Sequence, residues 1–202
     1  MKRTTTTLLT LLAASVLCFG AAIAAEIAAK PEKVRRVREF EVSELATRFV
    51  FDETPLDANG NPAYGGEFVT EGVIYAPGTL NGSNGVLAEF NDSGKLIRAE
   101  PEFPDKVIGR WTCRGWHVGE GAATVTGPWV VTHQLYQFGD TPGEHTFTTD
   151  GHELVDLDVA IKRAVTGGTG VYRRMGGEVI QTMIGFNASK GDRKSTRLNS
   201  SH

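Results

Sequence analysis

Short runs rich in Val, Ile, Thr, Phe, Tyr and Trp recur roughly every 10–15 residues, each closed by Gly, Asn, Asp or Pro. The runs lie at 44–51, 67–76, 86–90, 95–99, 106–118, 129–138, 145–148, 153–164 and 176–186. Asn91-Asp92-Ser93-Gly94 between two of them is a hairpin signature. No amphipathic helix interrupts the series. The 24 glycines supply turns, and the β-branched and aromatic residues suit a pleated, half-buried surface. The expectation from pattern alone is an all-β domain, sandwich or barrel. The loop at 57–66 opens like a calcium loop, but Pro62 stands where such a loop needs Gly, and Glu67 comes one place too early. It reads as a plain turn.

The two ends of the chain read differently. Lys2 and Arg3 precede an apolar run from Leu8 to Ala25, and Ala22-Ile23-Ala24 offers small residues for cleavage. Residues 1–25 are therefore expected to be a signal peptide, with 26–39 a flexible leader and 40–191 the folded domain. The expected location is secreted or periplasmic, with no membrane insertion after cleavage. Residues 192–202, Asp-Arg-Lys-Ser-Thr-Arg-Leu-Asn-Ser-Ser-His, match residue for residue the translation of a common short-read sequencing adapter. They are set aside as an adapter-derived tail.

Charge narrows the partners. The chain has 21 Lys and Arg against 24 Asp and Glu. Setting aside Lys2, Arg3, Arg193, Lys194, Arg197 and Asp192 leaves 16 against 23, a net charge of −7. An acidic domain repels phosphate backbones and anionic lipid, so nucleic acid is not an expected partner. Cys113 is the one cysteine of the mature chain, so no internal disulfide is available. It reads as a buried, inert thiol. His117, His133, His145 and His152 show no metal-ligand spacing, and no metal or other cofactor is expected.

Three ordered segments carry a resemblance. Val165-Thr166-Gly167-Gly168-Thr169-Gly170-Val171-Tyr172 is similar to the Val-x-Gly-Gly-Thr/Ser-Gly-x-Phe/Tyr segment of the allene oxide cyclase and dirigent barrel superfamily. Val107-Ile108-Gly109-Arg110 resembles that superfamily's Val-Gly-Arg strand start, and Tyr136-Gln137-Phe138-Gly139-Asp140 the cyclases' Tyr-x-Phe-Gly-Asp. The resemblance implies an antiparallel β-barrel of about eight strands around an apolar cavity. It also implies one more strand after 176–186. With 192–202 set aside, that closing strand is expected to be missing or reduced to a stub.

The resemblance marks Phe49-Val50-Phe51-Asp52 as matching the dirigent Phe-x-x-Asp, with the cyclases placing a Glu close by. Asp52 and Glu53 are thus the expected catalytic acids, unless they are solvated carboxylates starting a loop. Phe51, Trp111, Cys113 and Tyr136 are candidate ligand-binding residues, although core filling explains the last three equally well. Arg110, sharing a strand face with Arg114, could bind a substrate carboxylate or stand on the outer wall. His133 could be a base or a hydrogen-bonded wall residue. The expected function is an exported barrel binding a small apolar or phenolic molecule, possible as a homo-oligomer. It would guide the guest's cyclisation or stereoselective coupling in an isomerase-like or dirigent-like manner. The alternative is a non-catalytic exported binding or interaction module.

Overall fold

The computed structural model describes residues 36, 38–48 and 55–201. The expected signal peptide and nearly all of the leader lie outside the described residues, as do Phe51, Asp52 and Glu53. Ten strands account for most of the described chain: β1 (Glu39–Glu44), β2 (Glu67–Tyr75), β3 (Val86–Phe90), β4 (Leu96–Pro101), β5 (Val107–His117), β6 (Pro128–Phe138), β7 (Thr146–Leu154), β8 (Ala160–Gly168), β9 (Gly176–Phe186) and β10 (Asp192–Ser201). Among the described residues the only helical pieces are four short 3-10 turns.

Eight strands close on themselves in the order β1-β10-β9-β8-β7-β6-β5-β2, each neighbour antiparallel. The remaining pair, β3 and β4, is the hairpin expected around Asn91–Gly94, and it stands outside the barrel wall. Inward and outward residues alternate along the wall. On β6, Val130, Thr132, Gln134, Tyr136 and Phe138 are buried while the residues between them are half-buried.

Three expectations need correcting. The barrel is closed, and residues 192–201 close it by pairing with β9 on one side and β1 on the other. Strand pairing is main-chain chemistry, so two open edges accept any extended segment of suitable length and phase. The period here is two: Asp192, Lys194, Thr196 and Leu198 are buried, and Ser195, Arg197 and Asn199 exposed. Second, the run at 153–164 is not one strand. β7 continues to Leu154, the chain turns through residues 155–159 with Asp158 at φ 61°, and β8 starts at Ala160. Its hydrophobic alternation spans a turn. Third, the first strand ends at Glu44, earlier than expected, and a 3-10 turn follows at Ala46–Arg48.

The interior is unevenly filled. At one end Phe40, Tyr136, Phe138, Phe147 and Tyr172 form an aromatic plug, with centroid separations from 4.6 to 6.1 Å. Val42, Ile74, Met175, Val179 and Leu198 complete it. Offset and edge-on ring pairs add about 0.5–1.5 kcal/mol each beyond the area they bury. Toward the other end the inward positions become small: Gly115, Thr132 and Thr70 replace rings. At Gly115 the partner strand passes so close that a Cβ would lie 2.3 Å from the Val131 carbonyl oxygen. This end of the barrel is hollow.

Candidate functional site

A cavity of about 250 Å³ occupies the hollow end. Its apolar wall comes from Phe68 on β2, Trp111 and Cys113 on β5, and Trp129 and Val130 on β6. Ala46, Lys190 and Gly191 also line it, and Lys190 is exposed, so this side reaches solvent. Glu44, Thr70, His117, Glu153, Asp192 and Lys194 supply polar groups alongside Lys190.

Trp129 reaches the cavity through a backbone irregularity. By alternation with Val130 and Thr132 it belongs on the outer face. The register with β7 shifts between Pro128 and Val130, which pair with Leu154 and Glu153. Trp129 is the extra residue of this bulge, and a bulge re-aims its side chain. Its ring packs edge-on against His117, with centroids 6.1 Å apart.

A polar belt separates the hollow from the plug. Glu153 is its centre. Thr132 Oγ1 and Gln134 Nε2 donate to Glu153 Oε1 at 2.8 and 2.7 Å, and the Cys113 thiol points at the same oxygen from 3.6 Å. Lys194 Nζ lies 2.7 Å from Oε2, and Arg163 Nη1 4.0 Å from Oε1. Burial alone would raise the Glu153 pKa, but Lys194, then Arg163, then the hydrogen bonds bring it down to about 2. Glu153 is therefore ionised. Burial also opposes the charge on Lys194, yet Glu153 and Asp192 outweigh it and its pKa rises. Gln181 Nε2 donates to Gln134 Oε1 at 3.0 Å, and the Tyr136 hydroxyl donates to the same oxygen. Arg163 crosses beneath Gly151, where a Cβ would come within 3.3 Å of its side chain. It donates to Thr149 Oγ1 and to the carbonyls of His152 and Thr132.

Glu44 is a different kind of carboxyl. It ends the inward series Phe40, Val42, Glu44 and is buried against the cavity. Thr70 Oγ1 donates to its Oε1 at 2.8 Å. Burial first, and the nearby Asp192 second, push its pKa up to about 7. A proton on Glu44 is thus available near neutrality, on a cavity that Phe68, Trp111 and Trp129 also line. His117 also faces the cavity. Its Nδ1 donates to the Gly66 carbonyl oxygen at 3.2 Å, and burial lowers its pKa, so the ring is neutral with Nε2 as the acceptor nitrogen.

The sequence candidates divide accordingly. Trp111 and Cys113 line the cavity. Burial raises the Cys113 thiol pKa well above its ordinary value, so it is not a thiolate. Tyr136 is not a cavity residue; it stacks on Phe147 in the plug at 4.6 Å. Arg110 is exposed on the outer face, opposite Gln137 and Val73, because its neighbours Gly109 and Trp111 hold the inward phase. It cannot meet a guest inside the barrel. His133 is also on the outer wall, 2.9 Å from Asp150 Oδ1. Phe51, Asp52 and Glu53 fall outside the described residues. Sequence reasoning missed Glu44, Glu153, Phe68 and Trp129. The signal for Glu44 was present: an acid in the inward phase of an alternating strand. Trp129 carried none, because a bulge does not announce itself in alternation.

No sequence-family profile matches the chain, and no curated protein matches it. Among solved structures it is similar to pyocyanin demethylase, with a TM-score of 0.47 and 10% identity, over 80% of this chain and 98% of that one. At that level neither substrate nor mechanism transfers, and the barrel stands on its own strand pairing.

Proposed function

We propose that this chain is an exported barrel protein that takes a small apolar or phenolic molecule into its hollow end and presents it to the protonated Glu44. The observation that carries this is the cavity of about 250 Å³ with a carboxyl of pKa about 7 in its ring-lined wall. A neutral carboxyl in such a place donates a hydrogen bond, or its proton, to an oxygen of the guest. Confinement by Phe68, Trp111 and Trp129 fixes the guest's conformation and excludes water. The Gly167–Gly168 segment and its companions, similar to allene oxide cyclase and dirigent barrels, support guided cyclisation or coupling as the use of that confinement. Asp52 and Glu53 are the second candidates for the acid. Export is supported by Lys2, Arg3 and the apolar run ending at Ala25.

The test is a thermal-shift series on the full chain with 2-naphthol, 4-propylphenol and a long polyunsaturated fatty acid. The phenols are expected to raise the midpoint, since a ligand at 100 times its Kd stabilises by about 2.7 kcal/mol. If none of the three moves it, the binding reading fails.

A further inference from the structure

We propose that the hollow end docks on a zwitterionic lipid surface through a collar of apolar side chains around the cavity mouth. The strand ends say which connections lie there. β1 stops at Glu44, β2 starts at Glu67, β5 stops at His117, β6 starts at Pro128, β7 stops at Leu154 and β8 starts at Ala160. Glu44, Phe68, His117, Trp129 and Glu153, at or beside those ends, all line the cavity. The connections carry Leu56, Tyr64, Val125, Leu157 and Val159, each at least 45% exposed, with Val125 at 83%. Trp116, near the end of β5, is exposed as well. The loops are tied side by side: the Ala122 N–H donates to the Pro62 carbonyl oxygen, and the Gly127 N–H to the Asp156 carboxylate. At the plugged end, connections 139–145 and 169–175 carry no exposed large hydrophobic. Single exposed apolar residues are ordinary. Five on three adjoining loops around one opening, with none on those opposite, mark a contact surface.

Charge selects the occupant. Among the described residues of the hollow-end connections, Asp57, Glu120, Asp156 and Asp158 stand against Arg48 and Lys190. Hydrogen bonds, first of all from Asn61 to Asp57 and from Thr126 to Asp156, lower the pKa of both carboxyls, so both are charged. The collar is apolar at its tips and negative between them. A second copy docked face to face would set these carboxylates against their own counterparts. Anionic lipid is repelled for the same reason. The complement is a surface with positive charge outermost and an apolar layer beneath. Phosphatidylcholine has that order, and the faces of Tyr64 and Trp116 suit its quaternary ammonium group. The place of the collar gives the contact a use. A guest apolar enough for the cavity dissolves in the bilayer, and a mouth held against the lipid receives it without a passage through water. That use rests on the cavity reading above, whereas the contact itself does not.

The experiment titrates the full chain with vesicles of brominated phosphatidylcholine, alone or mixed in equal parts with phosphatidylglycerol, and reads the quenching of tryptophan fluorescence. Trp111, Trp116 and Trp129 all stand on β5 or β6, so quenching reports on the barrel rather than on the apolar run from Leu8 to Ala25. Phosphatidylcholine is expected to quench, and the mixture to quench less at equal lipid. Val125→Ser combined with Leu157→Ser should weaken the lipid affinity roughly tenfold or more. Its melting midpoint should match the parent's, since both side chains are exposed. Leu87→Ser, exposed on the hairpin outside the wall, should leave the affinity unchanged. Absence of quenching, or quenching that the double variant keeps in full, overturns the proposal. Stronger quenching by the mixture also overturns it, because Arg48 and Lys190 would then be seeking an anionic surface. So does a lipid-free chain that self-associates in the analytical ultracentrifuge while the double variant is monomeric, since a second copy would then cover the collar.

Discussion

The plugged and hollow ends of the barrel share one wall and differ in what that wall points inward. At the plugged end, β1, β6 and β7 supply Phe40, Phe138 and Phe147, with Tyr172 arriving from the turn after β8. At the hollow end, β2, β5 and β6 supply Thr70, Gly115 and Thr132. Closure needs backbone pairing all the way round but says nothing about filling. Filling is set by inward residue volume, and a barrel of eight strands is near the size where side chains can complete the core or leave room for one small guest. The polar belt around Glu153 lets both regimes coexist. It ends the apolar plug with satisfied hydrogen bonds and gives the hollow a charged floor.

The test with the largest expected effect removes what the two ends share. A chain ending at Gly191 lacks β10 and leaves β1 and β9 as unpaired edges. It is expected to lose cooperative folding altogether, a cost comparable to the roughly 5–15 kcal/mol that holds a domain of this kind together. Circular dichroism melting checks it. A cooperative transition retained at the same midpoint would mean that β10 is not part of the wall that holds both ends.

A pair of truncations then separates the ends. Phe147→Ala removes a ring stacked on both Tyr136 and Phe138 and should cost about 3–5 kcal/mol. Phe68→Ala opens onto space that already exists, forfeits contacts on one side only, and should cost about 1–2 kcal/mol less. Urea denaturation measures both. Equal losses would show that the hollow end is as tightly packed as the plug.

How much of this could be read beforehand follows the same division. The wall was legible because alternation is a local, two-residue signal: β5, β6, β9 and the β3–β4 hairpin lie within a residue or two of where the sequence put them. The turn at 155–159 was not, because Leu154, Val155, Leu157 and Val159 keep an alternating hydrophobic pattern while Asp158 reverses the chain. Trp111 and Cys113 were found as cavity residues because their strand's phase was clear. Arg110 illustrates the converse, since a one-residue difference in phase puts a side chain on the opposite face. Glu44 stood in a legible inward phase, whereas the meaning of Glu153 is non-local, since Lys194 and Arg163 on other strands set its pKa. β10 was not expected because residues 192–202 read as an adapter-derived tail. Its sequence suits its position poorly, with Lys194 buried and Thr196 Oγ1 and Arg193 Nε buried without partners. Nothing in its composition advertises an inward face.

The remaining test is the one most specific to the hollow end. Glu44 is neutral below its folded pKa of about 7, whereas an unfolded Glu titrates near 4.3. Between those values the folded chain holds a proton that the unfolded chain has released. Stability contributed by protonated Glu44 is thus fully present below the unfolded pKa and is lost as pH rises through the folded one. The full span corresponds to roughly 3–4 kcal/mol. Glu153 works in the opposite sense, since its pKa of about 2 makes stability fall as pH drops below the ordinary carboxylate range. Together they place the stability maximum near pH 5, on the acid side of neutrality. Glu44→Gln keeps a neutral side chain in contact with Thr70 and removes this titration, so from pH 5 to 8 its melting midpoint should lose the decline that Glu44 gives the parent. A parent whose midpoint follows the variant's over that interval would mean that Glu44 is ionised in the folded barrel, and the hollow end would then have no acid to offer a guest.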